Sequence, residues 1–247
     1  MKIKEINSKA ILSSSKVYDY AVNPYVGCQH GCSYCYARFM KRFTGHKEPW
    51  GDFVDVKINA LDLLNKEIEK KQKGTVWVSG VCDPYQPLEA KYKLSRKCLD
   101  TLVKKDWPVA IQTRSPLVLR DMDIFKKSNK IEVGLSITTS NDEIRKVFEP
   151  NAPSITERLK AIDSLQHNKI KTYVMIAPIL PEAENLIGRL AGKVNYIIID
   201  RMNYWHADKI YKKYGWEEKK TDQYFTLIAS RIGNECTKLG VECRSAY

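Results

Sequence analysis

The sequence predicts an α/β fold, a partial (β/α)6 barrel of TIM type, on three observations. Short apolar, β-branched runs alternate with helix-patterned stretches, as βαβ units around a parallel sheet require. Six such runs can be found, two fewer than a closed (β/α)8 barrel needs. The segments leaving several of these runs are rich in polar residues and prolines: SGVCDPYQP (79–87), TRSP (113–116), SITT (136–139) and APILP (177–181). In barrels of this kind the chemistry lies at the C-terminal ends of the strands, so such segments would ring one mouth.

The elements follow in order. A strand around residues 21–25 leads into a cysteine-rich loop. Further strands are expected at 75–79 (TVWVS), 109–113 (VAIQT), 131–137 (IEVGLSI), 172–177 (TYVMIA) and 196–200 (YIIID). Helical patterns fall near 60–71, 95–105, 122–127, 154–167, 182–190 and 207–214. A last helix runs over 221–239, with Leu227, Ile228, Ile232 and Cys236 on one stripe. Cys98 stands at helical spacing between Leu94 and Leu102 and, like Cys236, belongs to the core. No internal repeat, low-complexity segment or Gly/Ser linker interrupts the pattern.

A chain of 247 residues with 43% apolar content can bury one large core, and 28% charged residues suit a soluble protein. No run approaches the about 18 apolar residues of a membrane span, and the N-terminus lacks the apolar stretch of a secretory signal, so a cytoplasmic location is expected. Seven cysteines in such a compartment point to metal or redox chemistry rather than disulfides. Net charge is +12, with +9 of it in residues 1–120, an imbalance that favours polyanionic partners such as nucleic acid.

Cys28, Cys32 and Cys35 form a C-x3-C-x2-C motif. Three thiolates can hold three irons of a [4Fe–4S] cluster and leave the fourth open to a cofactor. The same residues could instead form a zinc knuckle if His30 or His46 supplied a fourth ligand. No Gly-rich phosphate loop, His-Glu-x-x-His or nucleophile-elbow pattern is present.

The lead Asn23-Pro-Tyr, the core GCQHGCSYCYAR (27–38) and the loop DPYQP (83–87) together resemble the spore photoproduct lyase-like, or DNA repair photolyase-like, radical S-adenosylmethionine (SAM) proteins. Arg120-Asp121, EPNAPS (149–154) and Ala177-Pro-Ile match that pattern too. The resemblance spans about residues 20–200 and implies a radical SAM core at 20–206, an N-terminal extension at 1–19 and a C-terminal helical extension at 207–247. It implies that Cys28, Cys32 and Cys35 ligate a [4Fe–4S] cluster at which SAM is cleaved to a 5′-deoxyadenosyl radical. Tyr34 and Tyr36 would face the SAM adenine, Arg114 its carboxylate, Ser136 would contact SAM, and Ala177 would offer a backbone group to the adenine. The electron would come from a flavodoxin or ferredoxin.

Asp83 and Glu89 bracket the Tyr-Gln-Pro loop and are candidates for SAM's amino group or ribose hydroxyls. For Asp83 the competing reading is a turn held by its side chain before proline. Cys82 occupies the strand-end loop where spore photoproduct lyases carry a hydrogen-atom-donating cysteine, displaced by about two positions; the competing reading is a small residue packing in a turn. The chain also lacks those lyases' long N-terminal extension. Arg201, Asn203, Tyr204, Trp205 and His206 follow the last strand as candidate substrate contacts, where Trp205 or Tyr204 could stack a base; the competing reading is an aromatic lid over the barrel bottom or a packed corner. The expected substrate is a nucleic acid, for repair or base modification. A peptide or small metabolite is the second option, and a non-catalytic Fe–S or zinc nucleic-acid-binding module the alternative of another class.

Overall fold

The structure is a computed structural model and describes residues 1–246. The chain divides into two compact units, one of residues 1–31 and 37–133, the other of residues 32–36 and the segment from Gly134 onward.

The first unit carries strands β1 (Lys2–Ile6), β2 (Leu12–Ser14), β3 (Tyr20–Val22), β4 (Tyr25–Val26), β5 (Phe53–Lys57), β6 (Val76–Val78), β7 (Val109–Thr113) and the start of β8 (Ile131–Ser136). Its helices are α1 (Ala60–Ile68), α2 (Glu89–Tyr92), α3 (Leu94–Lys104) and α4 (Met122–Phe125). β3, β6 and β7 are parallel and in register, Val22 beside Val78 and Val78 beside Ile111, so their C-terminal ends emerge together. β2 closes that side antiparallel to β3. A smaller sheet has the order β1-β5-β4. Buried Ala60, Leu64 and Ile68 on α1 and Leu94, Cys98, Leu99 and Leu102 on α3 repeat at the three- and four-residue spacing that turns one helical face inward.

The second unit holds the end of β8, then β9 (Lys171–Ile176), β10 (Tyr196–Ile199) and β11 (Glu242–Ser245), in the order β8-β9-β10-β11. β9, β10 and β11 are parallel. The helices are α5 (Asp142–Phe148), α6 (Ile155–His167), α7 (Ile187–Leu190), α8 (Asp208–Lys213) and α9 (Asp222–Lys238). α6 starts with a capping box, in which Ser154 accepts from the Glu157 amide and Glu157 accepts from that of Ser154. Such a cap stabilises a helix by about 1 kcal/mol. Phe225, Ile228, Ile232 and Cys236 form the buried stripe of α9.

All six expected strands are present, and the ladders within each unit are mostly parallel, as an α/β architecture requires. The sequence reading missed β1, β2, β4, β5, β11, α2 and α5. β1 is exposed along most of its length and is held by its ladder to β5, so no apolar pattern announces it. β11 extends the second-unit sheet beyond the helix expected at the C-terminus. Among the described residues no helix is long and apolar enough to cross a membrane.

Candidate active site

The cysteine loop leaves β4 through two glycines. Gly27 (φ +91°) directly precedes Cys28, and Gly31 (φ +62°) directly precedes Cys32. A Cβ on Gly27 would lie 2.3 Å from the Phe53 carbonyl oxygen, so only glycine fits there. Gln86 clamps the first half of the loop, accepting from the Gln29 amide (3.0 Å) and donating to the Gly27 carbonyl (3.2 Å). Gln29 returns the contact by accepting from the Leu88 amide at 2.6 Å. The DPYQP loop thus shapes the backbone around Cys28.

Asp83 opens that loop and is buried. One carboxylate oxygen accepts from the Tyr85 amide (2.9 Å) and the Thr113 hydroxyl (2.5 Å); the other accepts from the Arg114 amide (2.8 Å) and faces His30 Nε2 at 3.2 Å. Burial opposes its charge, but the His30 ring and these donors outweigh burial and hold its pKa at about 2. The Tyr85 bond is the geometry of the turn reading, and the Thr113 and Arg114 bonds tie the loop to the end of β7. Glu89 is likewise engaged, by Tyr25, by the amides of Ser95 (3.0 Å) and Arg96 (3.1 Å), and by Arg120 (2.8 Å). His46 sits between Asp55 (2.8 Å) and Glu48 (3.1 Å), so both histidines that a zinc site would recruit are held by carboxylates.

Cys82 is half-buried after β6 and packs against the cluster of Tyr25, Val54, Val56, Leu88 and Leu94. Its Sγ is 3.0 Å from Ser79 Oγ. Desolvation pushes its pKa up to about 12, with the Asp83 charge adding, so the thiol is protonated at neutral pH. Asn23 ties the ends of β3 and β6 together, accepting from the Ser79 hydroxyl (2.7 Å) and the amides of Gly80 (2.9 Å) and Val81 (3.0 Å). Arg114 is half-buried at the end of β7.

In the second unit the segment Cys32–Tyr36 is anchored by the residues that follow β8. The Ser33 amide donates to the Phe148 carbonyl at 2.8 Å. Buried Tyr34 donates its hydroxyl to Glu149, which also accepts from Thr138 (3.0 Å) and from Arg158 (2.5 Å). Glu149 and Arg158 are both fully buried, and Arg158 donates a further bond to the Ser136 carbonyl at 3.0 Å. Ser136 is buried at the end of β8 and Ala177 half-buried just beyond β9. The loops after β8, β9 and β10 are stitched by backbone bonds from Leu180 to Thr138 (3.0 Å) and Ile179 to Asp200 (2.8 Å). The Tyr36 ring stacks on Tyr204, with centroids 6.3 Å apart.

Cys28 and Cys32 are buried and Cys35 is half-buried. Among the described residues no three His, Cys, Asp or Glu side chains are already gathered as a metal site. The donor set nevertheless suits a cluster with one open iron, being three thiols within eight residues on a loop bent by two glycines.

The sequence matches the Radical SAM superfamily over residues 22–191. The chain belongs to the radical SAM superfamily. An uncharacterized protein of Methanocaldococcus jannaschii is 39% identical over 237 residues, covering 94% of this chain and 88% of its own length. The radical SAM Nα-GlyT isomerase of Pseudomonas phage M6 is 22% identical over 212 residues, which are 80% of this chain and 43% of that protein. Spore photoproduct lyase complexed with dinucleoside spore photoproduct has the same fold, with a TM-score of 0.71, 15% identity and coverage of 99% and 82% of the two chains. Streptococcus suis SuiB bound to precursor peptide SuiA superposes at 0.62, with 14% identity, over 92% of this chain and 48% of that one.

Within this radical SAM domain the sequence reading missed Gln86, Gln29, Glu149 and Arg158 as organisers of the cysteine loop. The DPYQP and EPNAPS motifs that contain Gln86 and Glu149 were visible, but side-chain partners 57 to 115 residues away were not.

Proposed function

We propose that this protein is a radical SAM enzyme that cleaves SAM reductively at a [4Fe–4S] cluster held by Cys28, Cys32 and Cys35 and acts on a nucleic acid, in repair or base modification. The observation that carries the reading is the C-x3-C-x2-C loop, bent at Gly27 and Gly31 and lying within the radical SAM match over residues 22–191. With the cluster bound, its chemistry is the reductive cleavage of SAM to a 5′-deoxyadenosyl radical that takes a hydrogen atom from substrate.

The chain's own part is to hold and orient. Gln86 and Gln29 fix the backbone around Cys28, while Tyr34 and the Ser33 amide fix the segment holding Cys32 and Cys35. Arg114 supplies a cation for the SAM carboxylate, Ser136 a hydroxyl, and Ala177 a backbone group beside the adenine; Tyr34 and Tyr36 border that slot. Asp83 acts through its neighbours, fixing the Arg114 amide and the His30 ring rather than offering a vacant oxygen. A flavodoxin- or ferredoxin-type protein supplies the electron. The net charge of +12 supports a nucleic-acid substrate over a neutral metabolite.

The test is anaerobic reconstitution with iron and sulfide, followed by SAM and dithionite. Iron incorporation and release of 5′-deoxyadenosine are expected; a reconstituted chain that yields neither overturns the reading. Cys82, protonated and at a strand end, is proposed to give its S–H hydrogen atom to the product radical; the thiyl radical left on Cys82 returns to the thiol with an electron from the flavodoxin- or ferredoxin-type reductant and a proton from solvent. Its thiol exchanges with solvent, so product formed in D2O should carry deuterium. The Cys82→Ala variant should consume SAM yet lose that label, and an equal label in the variant removes Cys82 from the mechanism.

A further inference from the structure

A row of aromatic rings runs outward from the residue after Cys35. Tyr36 lies on Tyr204 with planes 23° apart, and Tyr204 on His206 with centroids 5.8 Å apart and planes 5° apart. Trp205 stands 5.8 Å from His206. Tyr204 is in extended backbone (φ −133°, ψ 152°) and directly precedes the 3-10 turn Trp205–Ala207 that carries His206. These rings are not a packed corner. Tyr36 is 39% exposed, Tyr204 43% and Trp205 72%. So large an open aromatic surface beside a strand-end loop marks a place where something binds.

The charges beside it indicate what binds. Trp205 opens a short 3-10 helix that runs into α8, and Lys209 and Lys212 are exposed four and seven positions on. That spacing sets both lysines on the tryptophan's side of the helix. The nearby carboxylates of Asp208 and Asp222 are neutralised by Lys220 and Arg201. Exposed aromatic rings, Trp205 above all, with lysines alongside suit a strand whose bases are unpaired, because every base offers a face and every linkage a phosphate. A duplex keeps its bases stacked inside and out of reach.

We propose that Tyr36, Tyr204, His206 and Trp205 form a base-stacking ladder for a single-stranded nucleic acid, with Lys209 and Lys212 taking its phosphates. The proposal rests on the nucleic-acid reading above and deepens it, since the ladder starts at the residue next to Cys35 and would lead a nucleotide toward the reacting centre.

The experiment is fluorescence anisotropy of the full reconstituted chain with a fluorescein-labelled oligothymidylate of about ten nucleotides and with a blunt duplex of the same length. The single strand should bind at least about tenfold more tightly than the duplex. Trp205→Ala and Tyr204→Ala should each weaken binding about tenfold, with Trp205→Phe within about threefold of the parent. Lys209→Ala combined with Lys212→Ala should flatten the salt dependence by about one to two phosphate contacts. Melting curves of each variant verify the fold, and Trp205 is exposed enough that its loss should leave them unchanged. A parent that binds the strand while Trp205→Ala and Tyr204→Ala bind it equally well overturns the ladder alone. Equal affinity for the duplex also overturns the ladder. A parent that cleaves SAM but binds no oligonucleotide overturns the ladder and the nucleic-acid substrate together.

Discussion

Cys32→Ala is expected to take iron in the reconstituted protein from about four atoms per chain to near none, and 5′-deoxyadenosine formation to background. The position is chosen because Cys32 is the central thiol of the motif and is buried, with Gly31 before it in the left-handed conformation that turns the loop. With only two thiols left, no three irons can be held, and the open iron that would receive SAM goes with them. The same variant tests the zinc alternative. If the parent binds one zinc and no iron, and the variant loses that zinc, the loop is a knuckle. If the variant keeps its iron and still cleaves SAM, the assignment of Cys32 as a ligand is wrong. Iron and sulfide analysis, with the electron paramagnetic resonance spectrum of the reduced protein, reads the outcome without needing the substrate.

Glu149→Ala is expected to destabilise the fold more than any other single change at the site. Arg158 is fully buried against Glu149 at 2.5 Å, and the same carboxylate takes the Tyr34 and Thr138 hydroxyls. Removing it leaves a guanidinium and two hydroxyls in the core without their acceptor. Breaking one side of a buried ion pair costs about 3–5 kcal/mol, and in a chain of this size that lowers Tm by about 10 °C. Tyr34→Phe deletes one hydrogen bond and should cost only about 1 kcal/mol. Urea and thermal unfolding of the two variants measure the difference; a Glu149→Ala protein within about 1 kcal/mol of the parent would show that Arg158 finds other partners. Because Tyr34 lies between Cys32 and Cys35, Glu149→Ala should also loosen the ligand loop, seen as lower iron retention than in Tyr34→Phe.

The six core strands were legible because each is a short, β-branched run buried on both faces, a pattern that needs no knowledge of its neighbours. β1 and β11 were not, since a strand with an exposed face of charged residues differs from a loop only in having a partner. The site shows the same division. Cys28, Cys32 and Cys35 lie within eight residues, so their joint chemistry can be read from spacing. Asp83 was legible only as a choice between a cofactor contact and a turn; its bond from the Tyr85 amide is that of the turn, while its bonds from Thr113 and Arg114, 30 and 31 residues away, were not legible. Tyr204 and Trp205 were flagged by their place after the last strand, while their openness to solvent, and the stacking of Tyr36 on Tyr204, needed the folded chain.

By itself the sequence determined the α/β architecture, the radical SAM family and the cysteines that mark it, because each is encoded by neighbours a few residues apart. The tertiary structure alone decided what holds that loop in place and what lies beside it: Gln86 on Gly27, Glu149 with Arg158 under Tyr34, and Tyr204 on Tyr36. Those partners are separated by up to 115 residues of chain. Hydrophobic periodicity and local spacing report which face of an element is buried, but not which distant side chain it will meet.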